Sequence, residues 1–366
     1  MKVLLINSVC GIGSTGRICA DIAREMEAQG HEVKIAYGRE TAPEQFRKYG
    51  VRIGTDFDVK LSGLHTRLTD RHGFSNKYAT KKFLQWAEGF NPDLLWLHNI
   101  HGYYINVEML FDWIKTKPHM QVKWTLHDCW AFTGHCAYFS WNKCEQWTDK
   151  CLHCKYKTTY PSGFAVSNSR NNFKRKKAAF SGVKNMTLIT PSKWLADLVK
   201  RSFLKDYPVE IRYNTIDTSI FMPTPSDFRQ KNNIEDKKVL LGVASVWDKR
   251  KGLEDFIKLS QILDDKFSIV LVGVSDKQLK KIPEGIICIE RTNSAKELAQ
   301  IYTASDVFLN LTYEDNYPTV NLEAQACGTP CVTYKTGGSV ESVPAENVAE
   351  QGNLDDVVRI INRILT

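Results

Sequence analysis

Two stretches in the second half of the chain hold residues suited to phosphate chemistry. In "FLNLTYEDNYPTVNLEAQACGTPCV" (308–332) a strand ends in Glu314, Asp315 and Asn316, and Pro318 stands where a helix would begin. Proline suits a first helical turn, where its missing N–H costs nothing. Thr319, Val320 and Asn321 are therefore expected to expose N–H groups at the positive end of a short helix, a site for phosphate. Glu323 falls about one turn in, placed to accept hydrogen bonds from ribose hydroxyls, and Gly328 closes the helix. In "VASVWDKRKGLEDF" (243–256) Lys249, Arg250 and Lys251 occupy a strand-to-helix turn. Alone they read as surface cations; beside the 308–332 stretch they read as a clamp for a diphosphate.

The first half offers other groups. "NSVCGIGSTGRICADIAREM" spells G-x-G-x-x-G with Gly11, Gly13 and Gly16 between a strand and a helix, the pattern of a dinucleotide fingerprint. "KWTLHDCWAFTGHC" puts His127 at a strand end, the edge where open α/β sheets bind ligands, with Asp128 beside it. "WLHNIHGYY" supplies His98, Asn99 and His101 at another strand end as acceptor-site groups. Cys136, Cys144, Cys151 and Cys154 follow a C-x7-C-x6-C-x2-C spacing, with His135 and His153 nearby. Four thiolates meet the tetrahedral preference of structural zinc, although free thiols packed as small apolar residues are the competing reading.

The elements that carry these groups alternate. Short apolar runs such as "KVLLI", "PDLLWLHN", "KVLLGVAS" and "FSIVLVG" are separated by helical patterns, which implies doubly wound parallel sheets. The rhythm breaks near 213–238, where Pro, Asp and Asn accumulate. The expected domains are 1–215, with a Cys-rich insert at 129–157, then 216–350, and a helix at 351–366 that packs back on the first domain. Residues 1–215 carry 32 Lys+Arg against 19 Asp+Glu, leaving 17 of the 49 basic and 22 of the 41 acidic residues to the rest. The basic half, with its runs at 170–180 and 76–86, suits an anionic surface such as a membrane. No apolar run is long enough to span a bilayer. "MKVLLINSV" turns polar too soon for a signal peptide, so a cytoplasmic location is expected, with peripheral contact at the inner face of the plasma membrane.

"EDNYPTVNLEAQACGTP", with "ASVWDKRKG" upstream, resembles the donor half of retaining GT-B glycosyltransferases, specifically glycosyltransferase family 4. The family places an acidic residue eight positions before a Glu followed by A-x-A-x-G-x-P; here Asp315 pairs with Glu323, and Glu314 stands beside it. "TPSKWLA", "YNTIDTSIF" and "ERTNSAKELAQIYTASDVF" also match, so the resemblance spans nearly the whole chain. It implies two Rossmann-like αβα domains facing across a cleft, with a nucleotide-diphosphate sugar in the second and an acceptor hydroxyl presented by the first. It further implies a retaining, metal-independent hexosyltransferase. In it Arg250 and Lys251 neutralise the leaving diphosphate, His127 reaches the donor sugar and Asp315 its hydroxyls. The base rests near Arg291 and Thr292, and UDP is favoured over GDP. The loop Gly13, Ser14, Thr15 and Gly16 then aims its N–H groups at the donor phosphate.

The acceptor is expected to be a glycan or lipid-linked oligosaccharide in cell-surface polysaccharide synthesis, with no cofactor beyond a structural zinc. An NAD-dependent oxidoreductase lacks the acidic residue that should end the second strand, where Tyr37-Gly38-Arg39 stand, with Glu40 only beyond. A zinc-containing nucleic-acid-binding protein lacks a basic reading helix, so no nucleic-acid partner is expected.

Overall fold

The computed structural model describes residues 1–366 except 153, 155, 159 and 165, which leaves the expectation for His153 outside the described residues. The chain divides into two compact units, Met1–Tyr213 and Asn214–Thr366.

The first unit contains strands β1 (Lys2–Asn7), β2 (Glu32–Tyr37), β3 (Gly50–Arg52), β4 (Leu94–Leu97), β5 (Gln121–Thr125), β6 (Met186–Thr190) and β7 (Val209–Ile211). They form one sheet in the order β3-β2-β1-β4-β5-β6-β7, parallel throughout. Its helices are α1 (Gly13–Ala28), α2 (Asp56–Thr69), α3 (Lys77–Phe90), α4 (Val107–Lys115), α5 (Ser169–Phe180) and α6 (Lys193–Arg201). A parallel sheet with both faces covered needs strands that are apolar on both sides. β1 meets this by sending Leu4 and Ile6 into one core and Val3 and Leu5 into the other.

The second unit repeats the plan. Strands β8 (Lys238–Val243), β9 (Phe267–Val272), β10 (Ile287–Ile289), β11 (Val307–Asn310), β12 (Cys331–Tyr334) and β13 (Val348–Ala349) are ordered β10-β9-β8-β11-β12-β13, again parallel. Around them lie α7 (Phe228–Lys231), α8 (Leu253–Ile262), α9 (Asp276–Leu279), α10 (Ala295–Thr303), α11 (Thr319–Ala326) and α12 (Leu354–Leu365). Both sheets reverse direction beside their first strand, so β1/β4 and β8/β11 are the switch points where such folds bind ligands.

Two sequence expectations meet different surroundings. α12 buries Val357, Ile360 and Ile361 with Leu240, Tyr334 and Ala349, so its apolar stripe is satisfied by the second unit's own core. The basic run 170–180 is α5 rather than a uniformly solvated patch. Lys176 is buried, donating to the carbonyls of Trp130 and Thr133, and Arg175 makes a two-pronged pair with Glu108. The insert 129–157 holds no regular helix or strand among its described residues. It is built from short 3-10 turns at Trp130–Phe132, Ser140–Asn142 and Gln146–Thr148.

Candidate functional site

In the second unit the cations and the acidic loop come together at the β8/β11 switch point. Asp248 caps the turn after β8 by accepting from the Lys251 N–H at 2.9 Å, and residues 249–251 form a single 3-10 turn. Gly252 follows with φ +76° and lies so close to the exit of β11 that a Cβ would sit 2.0 Å from the Leu311 carbonyl oxygen. Only glycine permits that approach. The Arg250 carbonyl accepts from the Tyr313 N–H at 2.7 Å and the Thr312 hydroxyl at 3.2 Å, which ties the cation turn to the 312–316 loop.

The side chains complete the arrangement. Lys251 Nζ donates to Asp315 Oδ2 at 2.6 Å, and Arg250 Nη1 lies 3.9 Å from the same oxygen while donating to the Glu314 carbonyl at 2.6 Å. Burial alone would raise the Asp315 carboxyl, but the adjacent Lys251 and Arg250 charges hold it below the usual range. Asp315 is therefore the carboxylate that meets the clamp. The Glu314 side chain is fully buried, and so is that of Asn316, whose N–H donates to Asp315 Oδ1 at 2.9 Å.

Pro318 is the N-cap of α11, its φ of −70° set by the ring and its ψ of 122° extended, so the helix itself starts one residue later at Thr319. Thr319 and Val320 open the helix, where N–H groups have no intrahelical acceptor. The third expected group behaves differently: the Asn321 N–H turns back to the Pro318 carbonyl at 3.2 Å. The Asn321 side chain anchors the helix instead, accepting from Asn310 Nδ2 at 2.7 Å and donating to the Ser342 hydroxyl at 2.9 Å. Glu323 is buried on α11 and accepts from the Tyr302 hydroxyl at 3.2 Å. Tyr302 and Ser342 escape sequence reasoning because they reach the site from other parts of the chain, and Asn310 and Thr312 because their partners do. Arg291 is exposed and Thr292 half-buried just beyond β10.

In the first unit Gly13, Ser14, Thr15 and Gly16 form the opening turn of α1, with Gly13 and Ser14 exposed and Gly16 buried. Gly11 serves packing: at φ +70° its Cβ would fall 2.2 Å from the Phe46 ring. Asn7, at the end of β1, donates to the Val9 carbonyl at 2.8 Å and accepts from the Asn99 N–H at 3.2 Å, joining this loop to the end of β4.

His98 and His127 leave the ends of β4 and β5 and share a hydrogen across 3.0 Å between Nδ1 and Nε2, their rings stacked. Burial pushes His127 down to about 4 and holds His98 well below its ordinary value, so both are neutral near pH 7. His127 keeps part of its surface exposed, whereas His98 is buried. His101 and Asp128 are also buried and face each other, His101 Nε2 lying 2.9 Å from Asp128 Oδ2. Asp128 also accepts from the Trp130 N–H at 2.9 Å, and Tyr160 reaches His101 Nδ1 at 3.3 Å. The structure thus brings His98 and His127 into one pair and His101 and Asp128 into another.

Comparison with known proteins gives this geometry a family. The model of glycosyltransferase family 4 matches residues 15–220, and that of glycosyl transferases group 1 matches residues 225–366. WcaC of Escherichia coli K12, named as a colanic acid biosynthesis glycosyl transferase, is 22% identical over 363 residues, covering 93% of this chain and 85% of the relative. A Campylobacter jejuni diacetylbacillosaminyl-diphospho-undecaprenol N-acetylgalactosaminyltransferase is 28% identical over 122 residues, covering 32% of this chain and 31% of the relative. Among solved structures, sucrose-phosphate synthase of Thermosynechococcus elongatus shares the fold with a TM-score of 0.70 and 15% identity, covering 100% of this chain and 89% of that one. Anabaena HepE, solved with UDP, does so with a TM-score of 0.66 at 15% identity, with the same coverage. These are GT-B folds, and the chain belongs to glycosyltransferase family 4.

Proposed function

We propose that this glycosyltransferase moves a hexose-type sugar, with retention of anomeric configuration, from a nucleotide-diphosphate donor to a hydroxyl of a glycan or lipid-linked acceptor in cell-surface polysaccharide synthesis. The observation that carries the reading is the convergence of Lys251, Arg250 and Asp315 at the loop leading into α11. A departing diphosphate gains negative charge, and fixed cations beside a helix N-terminus stabilise that charge without a metal ion. Lys251 has hydrogens left beyond the one given to Asp315. The bond from the acceptor oxygen to the anomeric carbon forms as the bond from that carbon to the phosphate oxygen breaks, and the donor phosphate takes the acceptor's proton. Glu323, held by Tyr302, accepts from the ribose; Asp315 addresses the sugar hydroxyls. His127, neutral, offers a hydrogen bond to the donor sugar rather than a proton. UDP is favoured over GDP; HepE, which shares the fold, was solved in complex with UDP.

Binding is tested by thermal shift with UDP, GDP, NAD and duplex DNA. Stabilisation by UDP supports the reading, and stabilisation by NAD or DNA alone refutes it.

The acceptor's lipid character has its own support. α2 exposes Phe57, Leu61, Leu64 and Leu68 at helical spacing, flanked by exposed Lys60, Arg67 and Arg71, with Tyr78, Lys81 and Lys82 exposed on α3. Such a basic-rimmed apolar stripe suits an anionic membrane surface. The chain is expected to sediment with phosphatidylglycerol vesicles and not with phosphatidylcholine, and Leu61→Asp with Leu64→Asp to abolish it. Equal sedimentation of the double variant would remove the helix from the interface.

A further inference from the structure

None of the roles proposed above falls on the Cys-rich insert, yet its described thiols are organised. Cys136, Cys144, Cys151 and Cys154 line a single cavity together with His135. Cys136 Sγ and Cys154 Sγ lie 3.8 Å apart. A disulfide needs about 2.05 Å, whereas two thiolates at about 2.3 Å from a tetrahedral zinc stand ~3.8 Å from each other. The first pair is therefore already at the ligand spacing. The others are held nearby: the Gly134 N–H donates to Cys151 Sγ at 3.1 Å, the kind of bond that steadies a zinc-bound thiolate. Among the described residues no three His, Cys, Asp or Glu side chains are yet closed around a common point, so binding requires Cys144 and Cys151 to move in. Both are only half-buried, and the described turns around them are single 3-10 turns at Ser140–Asn142 and Gln146–Thr148.

The surroundings fit the charge such a site would carry. Four thiolates around zinc leave two net negative charges; burial pushes the nearby Lys176 ammonium down to about 7, and negative charge at Cys151 and Cys136 opposes that by favouring its charged form. It is fixed there by the Trp130 and Thr133 carbonyls and the Trp130 ring, 3.5 Å away. A cross-link would also fix a segment that has no regular helix or strand among its described residues. The Cys129 N–H donates to the Ala137 carbonyl at 2.9 Å, next to the Asp128–His101 pair. Phe132, Phe139 and Trp147 pack into one aromatic cluster beneath the thiols.

We infer that Cys136, Cys144, Cys151 and Cys154 bind one structural zinc ion that staples the 129–157 segment to the first unit. His135, whose Nδ1 faces Asp70 and whose buried Nε2 has no partner, lines the cavity without completing the ligand set.

The test is metal analysis of the full-length chain, purified without chelator from zinc-supplemented medium, with release followed by mercurial titration of the thiols. About one zinc per chain, freed in step with thiol modification, is expected. Cobalt substitution should give the charge-transfer and visible bands of tetrahedral thiolate coordination. Cys154→Ser should lose the metal and His135→Gln should retain it. Well under half an equivalent of zinc, a cobalt spectrum without thiolate bands, or a Cys136–Cys154 disulfide in the freshly reduced and purified chain would overturn the site. Loss of zinc from a folded His135→Gln variant would overturn the four-thiolate ligand set. The wild-type measurements keep the inference decidable even if a cysteine variant fails to fold.

Discussion

Replacing Lys251 with alanine separates the two jobs that the residue holds. The Asp315 side chain is only 15% exposed, and its carboxylate rests on Lys251 at 2.6 Å, the Asn316 N–H at 2.9 Å and Arg250 at 3.9 Å. Stranding a buried charge with no other partner costs roughly 3–5 kcal/mol. Here the N–H and the guanidinium remain, so the loss is nearer to about 2 kcal/mol. For a domain of this size that lowers the melting temperature by roughly 4–8 °C. Turnover should fall further, by about 10²–10³-fold, because the same ammonium is lost from the charge growing on the leaving diphosphate. The double variant Lys251→Ala, Asp315→Asn distinguishes the two effects. With no stranded charge its melting temperature should return toward wild type, while donor turnover stays low. Melting curves and nucleotide release from a sugar-nucleotide donor read both. Wild-type turnover in Lys251→Ala, or restored turnover in the double variant, would refute the clamp.

Two further outcomes follow from the same geometry. Burial pushes the folded His127 down to about 4 from the ordinary ~6.5, so the unfolded chain binds the extra proton in between. Its contribution is intact above about pH 6.5 and is lost as pH falls toward 4, by ~3 kcal/mol in all. Denaturant melts at pH 7 and 5 should show His127→Gln losing less stability than wild type, and equal losses would contradict this. Gly252→Ala forces a Cβ against the Leu311 carbonyl at positive φ and should destabilise by about 1–3 kcal/mol, with impaired turnover. Gly89→Ala, where nothing lies within 4 Å on helix α3, should be neutral or stabilising in the same melts.

The alternation of apolar runs and helical patterns made both parallel sheets legible, because βα repeats carry their own periodicity. Pro318 and the cation turn were legible for a similar reason: each is a local rule about a strand end or a helix start. What escaped was long-range. That the Asn321 N–H turns back to Pro318 while its side chain joins Asn310 and Ser342 depends on three elements meeting. Tyr302, an aromatic that packs in the core, reaches Glu323 across a gap of 21 residues. Charge counting also misled at α5, since Lys176 is an interior ammonium satisfied by two carbonyls far away in sequence. The G-x-G-x-x-G pattern matched a strand-turn-helix truthfully, but the turn is shaped partly by the Phe46 ring against Gly11, a contact no motif encodes.

In the proposed reaction a clamp of protein cations, and not a metal ion, discharges a nucleotide diphosphate from its sugar. The most direct measurement is donor hydrolysis across a panel of UDP- and GDP-sugars in the presence of chelator, comparing wild type with Lys251→Ala and Glu323→Ala. Release of UDP from a UDP-hexose that survives chelation and collapses in both variants is the predicted result. Activity that vanishes with chelator and returns with magnesium, or that persists undiminished in either variant, would contradict it.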